Sequence, residues 1–371
     1  MPIQTITIQQ FLELAQQHPV LDVRSPGEFN HAHITGAYSL PLFNDGERKI
    51  VGTAYKQQSK EIAIKLGLDF FGVKMRRMVE EVESLIIDRK MLAENQRNDD
   101  QPTTNNVLVH CWRGGMRSAA VAWLLDLYGF KVFTLSGGYK AYRNWVLQQF
   151  SQPYNFLVVG GYTGSGKTLL LKNLAENNKA VIDLEALANH KGSALGGLDE
   201  KKQPSQEMFE NKLAEALTAD RCSMTAENTQ PTINGQRPTC IFIEDESQRI
   251  GNLQIPMPLW QTMRSSPVYF LDVPFEERLN FLTQEYSIFT KEKLVNAIIR
   301  IQKRLGGLET KNAINFLLEN NHKECFSILL RYYDKWYLKG LHNRENITQL
   351  IHNIPCSNVD TITNAQKLME L

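Results

Sequence analysis

One stretch constrains this chain more than any other: Gly161-Tyr162-Thr163-Gly164-Ser165-Gly166-Lys167-Thr168. It fits G-x-x-x-x-G-K-[ST] without deviation, after an apolar run at 155–159 and before a helical pattern at 169–176. In that strand–loop–helix context, glycines let successive backbone N–H groups wrap a phosphate chain. The lysine adds a point charge, and the threonine hydroxyl can ligate Mg²⁺. The phosphate-binding set is therefore Gly161, Gly164, Ser165, Gly166, Lys167 and Thr168. Such a loop belongs to an α/β layer with a mainly parallel sheet.

Apolar strands are expected at 180–184, 240–243 and 268–273, and only helices from Lys291 onward. The strand at 240–243 runs into Glu244-Asp245-Glu246, and the strand before it ends beside Asp183 and Glu185. Carboxylates there can move a proton or help hold Mg²⁺, which makes Asp183, Glu185, Glu244 and Asp245 the candidates. As plain solvated strand ends they would do neither. The segment His190-Lys191-Gly192-Ser193-Ala194-Leu195-Gly196 is polar and glycine-rich, and His190 has no partner visible in the sequence. Tyr332, Tyr333, Trp336 and Tyr337 lie among Arg331, Lys335 and Lys339. That interleaving would suit an unstacked RNA base, but the helical spacing first predicts core.

The first half is organised around a second anion loop. Thr7 caps a predicted helix over 8–16, a strand follows at 20–23, and Ser25-Pro26-Gly27 reads as a turn. Residues 55–92 read as helix and 95–106 as an exposed polar loop. A strand at 107–109 leads into His110-Cys111-Trp112-Arg113-Gly114-Gly115-Met116-Arg117-Ser118. An apolar helix at 118–128, closed by Gly129, and a strand at 131–135 come next. A loop between the carboxyl end of a strand and the amino end of a helix aims several N–H groups at one point. A cysteine heading it should be partly thiolate. Arg113 and Arg117 can neutralise an anion carried on that sulfur, so Cys111, Arg113 and Arg117 are the catalytic candidates. A small buried core cysteine is the bland alternative.

Strands alternate with helices in both halves, with a break near Ser151-Gln152-Pro153. The expected fold is α/β in two domains. Residues 1–150 form a parallel-sheet domain with a helical insertion around 47–105. Residues 151–371 form a P-loop NTPase-like domain with a basic, helical C-terminal part. The net charge of +1 argues against a generic polyanion binder, yet residues 291–344 hold 11 basic and 5 acidic groups. Phosphate contacts depend on local field, so Arg300, Lys303 and Arg304 are candidates for nucleic-acid binding. Gly306-Gly307 after them would be either a hinge or an ordinary helix cap.

Five cysteines without a C-x-x-C pair argue against a disulfide framework and a structural zinc site, so no metal is assigned. No apolar run approaches the ~20 residues of a membrane-spanning helix. The first residues lack a basic stretch followed by an apolar one, and the expectation is a cytoplasmic chain without a membrane partner.

Leu21-Asp22-Val23-Arg24-Ser25-Pro26-Gly27-Glu28-Phe29, His33-Ile34-Thr35-Gly36-Ala37 and Leu40-Pro41 resemble the N-terminal motif of rhodanese domains. Residues 111–118 resemble their active loop, and Gly137-Gly138 their closing turn. Such domains carry sulfur or selenium as a persulfide-type adduct on the loop cysteine. Five residues separate Cys111 from Arg117, where sulfur-transferring rhodaneses usually have four. Cys-x₅-Arg is also the cysteine-phosphatase pattern, and the longer loop suits a tetrahedral anion such as phosphate or selenophosphate.

Both halves together, with Val51-Gly52-Thr53-Ala54-Tyr55-Lys56-Gln57, Gly137-Gly138-Tyr139-Lys140 and Glu244-Asp245-Glu246-Ser247 in order, resemble the tRNA 2-selenouridine synthase family over essentially the whole chain. Lys191 stands where arginine is expected, which keeps the charge. The resemblance implies replacement of sulfur by selenium in wobble-position 2-thiouridine, with selenophosphate as donor and an S-geranyl intermediate made from geranyl diphosphate. It implies that the phosphate loop holds the prenyl diphosphate and that Cys111, Arg113 and Arg117 handle the selenium donor. Mg²⁺ would be an accompanying ion, and tRNA and a selenophosphate-supplying enzyme the partners. Taken at face value, the two loops offer an alternative: a cysteine phosphatase fused to a small-molecule kinase. That reading lacks a general acid after Arg117, where Ser118 leads straight into an apolar helix.

Overall fold

A computed structural model describes residues 3–95, 105–193, 195–198, 200–227 and 240–370. The chain divides into two compact units, Met1–Gln148 and Gln149–Leu371.

In the first unit, strands β1 (Gln4–Ile6), β2 (Val20–Asp22), β3 (Tyr38–Ser39), β4 (Asn106–His110) and β5 (Lys131–Leu135) alternate with helices. Among the described residues they form one parallel sheet in the order β1-β5-β4-β2-β3. Helices α1 (Ile8–Ala15) and α2 (Pro26–His31) flank β2; α2 occupies the stretch expected to be a turn. Pro26 at the first helical position and a capping box between Ser25 and Glu28 start it.

The insertion expected around 47–105 is three helices, α3 (Asp45–Gln57), α4 (Lys60–Gly72) and α5 (Met75–Asn95); its first helix begins before residue 55, where the helical pattern was expected to start. The start is set by a cap that apolar periodicity cannot reveal. The Asn44 side chain accepts from the Glu47 N–H at 2.8 Å, and Glu47 accepts from the Asn44 N–H at 2.9 Å. Most of the polar loop expected at 95–106 lies outside the described residues. Met78, Val82 and Ile86 of α5 share a core with Leu21, Val109, Val121 and Leu125 of the sheet and α6 (Met116–Tyr128). Gly129 ends α6 at φ 112°, and α7 (Gly138–Gln149) closes the unit.

The second unit begins with β6 (Asn155–Gly161), the phosphate loop and α8 (Lys167–Glu176). There follow β7 (Val181–Ile182), α9 (Leu184–Ala188), α10 (Gln206–Glu227), β8 (Cys240–Glu244), a hairpin of β9 (Arg249–Ile250) and β10 (Leu253–Gln254), α11 (Met257–Ser265) and β11 (Val268–Asp272). Helices α12 (Phe275–Tyr286), α13 (Lys291–Leu305), α14 (Gly307–Leu318), α15 (His322–His342) and α16 (Ile347–Leu350) precede β12 (Ile351–Pro355) and α17 (Thr361–Met369).

The main sheet is parallel in the order β12-β11-β6-β8-β7, with β6 central. The phosphate loop therefore leaves the carboxyl end of a central strand, where chain connections run to both sides and open α/β sheets form their crevices. Strand β12 corrects the expectation that only helices follow Lys291. It pairs along its length with β11 at the sheet edge, where only Ile354 of its five residues is buried. A strand so short, polar and proline-ended carries almost no period-two signal.

Candidate functional site

In the first unit, β4 delivers Cys111 to the amino end of α6. The thiol is 3% exposed; Sγ accepts from the Gly115 N–H at 3.3 Å and lies 3.3 Å from the Ser118 hydroxyl. Burial pushes the thiol up. The Ser118 hydroxyl and the N–H groups of Ser118, Gly115 and Arg113 outweigh that and hold it below its ordinary value. Cys111 is thus buried yet shifted toward the thiolate, so burial alone does not make it core.

The loop is closed from behind by α7. Tyr139 N–H donates to the Cys111 carbonyl at 2.8 Å, and Lys140 N–H to the Trp112 carbonyl at 3.0 Å. Gly138, at φ 59°, has no room for a side chain: a Cβ would collide with the Cys111 carbonyl oxygen and the Gly114 nitrogen. Arg24, bonded to Asp22 at 2.5 Å, lays its guanidinium 3.7 Å from the centroid of the fully buried Tyr139 ring. Arg113 is exposed in the loop. Arg117 is engaged: it donates to Glu28 of α2 at 2.7 and 3.4 Å, with Arg48 3.7 Å from the same carboxylate.

In the second unit, the phosphate loop opens onto a cavity of about 430 Å³. Gly161, Gly164 and Gly166 sit at φ 147°, 80° and 78°, which turns the loop back on itself. Lys167 Nζ donates to the Gly161 carbonyl at 2.8 Å, and the Thr168 hydroxyl donates to Glu185 at 2.9 Å. A buried relay fixes the loop's first residue. Gly161 N–H donates to the Tyr337 hydroxyl at 3.0 Å, which donates to Asp245 at 2.7 Å, and Arg344 grips both Asp245 oxygens at 2.5 and 3.0 Å. Arg278 holds the loop's crest: it donates to the Thr163 carbonyl at 3.1 Å while paired with Asp334 at 2.8 and 2.9 Å.

Known proteins combine these two units. The sequence model of the tRNA 2-selenouridine synthase AAA domain matches residues 154–355, and that of the rhodanese-like domain matches residues 7–144. A tRNA 2-selenouridine synthase of Bdellovibrio bacteriovorus is 32% identical over 390 residues, covering 93% of this chain and 94% of its own length. One from Nitrosomonas europaea is 34% identical over 314 residues, covering 83% and 73%. The chain belongs to the tRNA 2-selenouridine synthase family.

Against that family frame, the acidic candidates separate. Asp183 is a helix cap: it accepts from the Ala186 N–H at 2.8 Å and does not line the cavity. Asp245 lines it, but its carboxylate is committed to Arg344 and Tyr337. Glu185 and Glu244 do come together, joined by Glu246 of the same acidic triplet, which has no signal of its own in the sequence. Carboxylate oxygens of these three lie within 4.8 Å of one another, and Glu244 Oε2 is buried without a hydrogen-bond partner. Beside the Thr168 hydroxyl, this acidic trio fits a divalent cation such as Mg²⁺, which Glu185, Glu244 and Glu246 would hold.

The basic and aromatic candidates also separate. Arg304 lines the cavity, whereas Arg300 and Lys303 are exposed on α13 away from its lining. Gly306, at φ 100°, ends that helix. Tyr332, Tyr333, Trp336 and Tyr337 line the cavity; Tyr333 also packs against the core of α12–α15, as the helical spacing predicted, and Tyr337 packs on Phe270, whereas Trp336 is exposed. Lys191 also lines it and pairs with Glu285 at 2.7 Å. Tyr337, Arg344 and Glu28 had no local signal as partners; Asp245 and Arg344 are 99 residues apart.

Two measurements check these electrostatics. Ser118→Ala removes a hydrogen bond to a charged sulfur, so the pH profile of Cys111 alkylation, followed by peptide mass spectrometry, should move up by about one unit. For the acidic trio, burial and then the Glu185 charge push Glu246 from 4.5 up to about 8, against the pull of Lys167. The folded chain thus holds a proton that the unfolded chain has released between those values. Its contribution to stability is full below pH 4.5 and lost as pH rises through about 8. Thermal melting should show Glu246→Gln gaining on the parent chain between pH 5 and 9, and Mg²⁺ closing that gap at pH 9.

Proposed function

We propose that this chain replaces sulfur by selenium in the wobble-position 2-thiouridine of tRNA, acting in the cytoplasm through two chemical steps. In the first, the thiouridine sulfur attacks the terminal carbon of geranyl diphosphate. A carbon–sulfur bond forms, diphosphate leaves, and the base gives up its N3 proton. In the second, the selenium of selenophosphate attacks C2 and expels the geranyl thiolate, which takes up a proton; water then cleaves the selenium–phosphorus bond and releases phosphate. Alkylation makes the second step feasible, because sulfur bonded to the geranyl group leaves C2 as a thiol where sulfide would not.

The observation that carries this reading is that one chain holds two intact and differently built anion loops. The loop at 161–168 has the glycine conformations, lysine and threonine to grip a diphosphate. Stabilising that leaving group as charge builds on it is what Lys167 would contribute. Phe281, Leu282 and Tyr286 in the same cavity give a hydrocarbon chain somewhere to lie. The loop at 111–118 offers a thiolate among N–H donors with Arg113 at its mouth, suited to a selenium-bearing tetrahedral anion. Mg²⁺, when bound, would neutralise diphosphate charge; the residues that fit it are the three glutamates described above. A selenophosphate-supplying enzyme would be the upstream partner. The phosphatase–kinase alternative gains nothing from the fold, since Ser118 is taken up by Cys111 and by the Gly115 carbonyl.

Two variants and two substrates test the scheme by nucleoside mass spectrometry. Lys167→Ala should fail to geranylate 2-thiouridine tRNA, yet still install selenium in tRNA already carrying the S-geranyl group. Cys111→Ser should do the reverse, accumulating geranylated tRNA without selenium. Failure of Lys167→Ala on pre-geranylated tRNA, with tRNA affinity intact, would mean that the loops do not serve separate steps. A third variant addresses the basic sector. Reversing Lys303 and Arg304 to glutamate should flatten the salt dependence of tRNA binding by about two units of log–log slope. An unchanged slope would put the RNA elsewhere.

A further inference from the structure

We infer that the Tyr332–Trp336 face of α15 is the platform on which an unpaired base of the RNA stacks beside the phosphate loop; the inference rests on the tRNA reading above. Three observations converge on it. Tyr332 and Trp336 are one helical turn apart and line the same cavity as Gly164, Lys167 and Thr168, yet Trp336 stays 44% exposed. Their rings pack edge to face at 6.4 Å, leaving the indole supported from one side and open on another.

The charges flanking the rings on α15 are mostly positive. Lys339 Nζ lies 5.2 Å over the Trp336 ring, Arg304 bonds the Tyr332 hydroxyl, and Arg331 and Lys335 are exposed on the same helix. The one acid in that stretch, Asp334, is committed to Arg278. Aromatic faces interleaved with cations suit a single-stranded nucleic acid, whose bases stack while its phosphates meet the lysines and arginines. An apolar peptide would leave those cations without partners.

The third observation is Gly340, one turn beyond Trp336 on the same stripe. It lines the cavity, and a Cβ built on it would meet nothing within 4 Å. Glycine weakens a helix relative to alanine, and no packing contact among the described residues requires it here. The space it leaves opens onto the cavity that Trp336 also lines. Arg264, bonded to the Gly340 carbonyl at 3.0 Å, puts a further cation at that end.

Binding of a fluorescent anticodon stem-loop RNA tests the assignment without any chemistry. A fully paired RNA duplex of equal charge serves as control. Trp336→Ala should weaken stem-loop binding about tenfold or more and duplex binding less than twofold, while Trp336→Phe, which keeps a stacking face, should retain most of the affinity. Gly340→Leu should weaken stem-loop binding to a similar degree without lowering the melting temperature, which separates blockage from misfolding. Equal binding by Trp336→Ala and the parent chain, or equal losses on stem-loop and duplex, would overturn the platform. So would intact RNA binding with a raised KM for geranyl diphosphate, which would give this face to the hydrocarbon chain. If the parent chain binds neither tRNA nor stem-loop, the tRNA reading itself falls. Failure of selenium or geranyl transfer alone would leave the platform standing.

Discussion

Backbone N–H groups converge on one anion only where a strand's carboxyl end turns sharply into a helix's amino end, and glycine is what lets the chain make that turn. Both units of this protein obey that constraint on a central strand of a parallel sheet. The loops, however, do not hold themselves. Each leans on a buried arginine–carboxylate pair: Asp22 with Arg24 behind the cysteine loop, Asp245 with Arg344 behind the phosphate loop. In the first, Arg24 bears on Tyr139, whose N–H bonds Cys111; in the second, Tyr337 carries the restraint from Asp245 to Gly161. Such pairs add little net stability, because desolvation offsets the attraction. Removing one partner is different: it strands a buried charge at a cost of about 3–5 kcal/mol. The pairs therefore act mainly as fixed points for the loops in front of them.

The same economy of charge distinguishes the two sites. At the cysteine loop the thiolate is stabilised by hydrogen bonds, and Arg117 is already neutralised by Glu28. That leaves Arg113, exposed in the loop, as the cation facing solvent. At the phosphate loop the imbalance runs the other way. Glu185, Glu244 and Glu246 crowd together with Lys167 as the nearby opposing charge, and burial raises all three carboxyls. A cluster in that state keeps a proton on Glu246 at neutral pH or exchanges it for a cation, and either way responds to what enters the cavity.

How much of this was legible in the sequence depends on range. The phosphate loop, the cysteine loop and the parallel-sheet class follow from spacings within ten residues, where backbone geometry alone sets the outcome. Family membership followed from several such motifs in order. What failed was of two kinds. Local signals were outweighed: Asp183 at a strand end served the Ala186 N–H, and β12 lacked the alternation that marks a strand. Long-range pairing had no local signal at all, as with Tyr337 and Asp245, or Arg117 and Glu28. The aromatic cluster on α15 shows the limit of periodicity. Spacing says only that residues share a face, and here the same stretch both borders a cavity and, through Tyr333, packs on the core.

Gly192 joins these threads. Its segment stands out in the sequence as glycine-rich without declaring a purpose. At φ 59°, Gly192 packs so closely that a Cβ would lie 2.8 Å from both oxygens of Glu246 and 3.1 Å from Glu185. Backbone thus covers the acidic trio where any side chain would push it apart. Lys191, paired with Glu285 of α12 and 5.9 Å over the Tyr286 ring, ties the cover to the helix that also lines the cavity. The lysine charge is what that ion pair uses. The glycine has no substitute: it combines a left-handed backbone with direct contact on two carboxylates, and no other residue meets both demands.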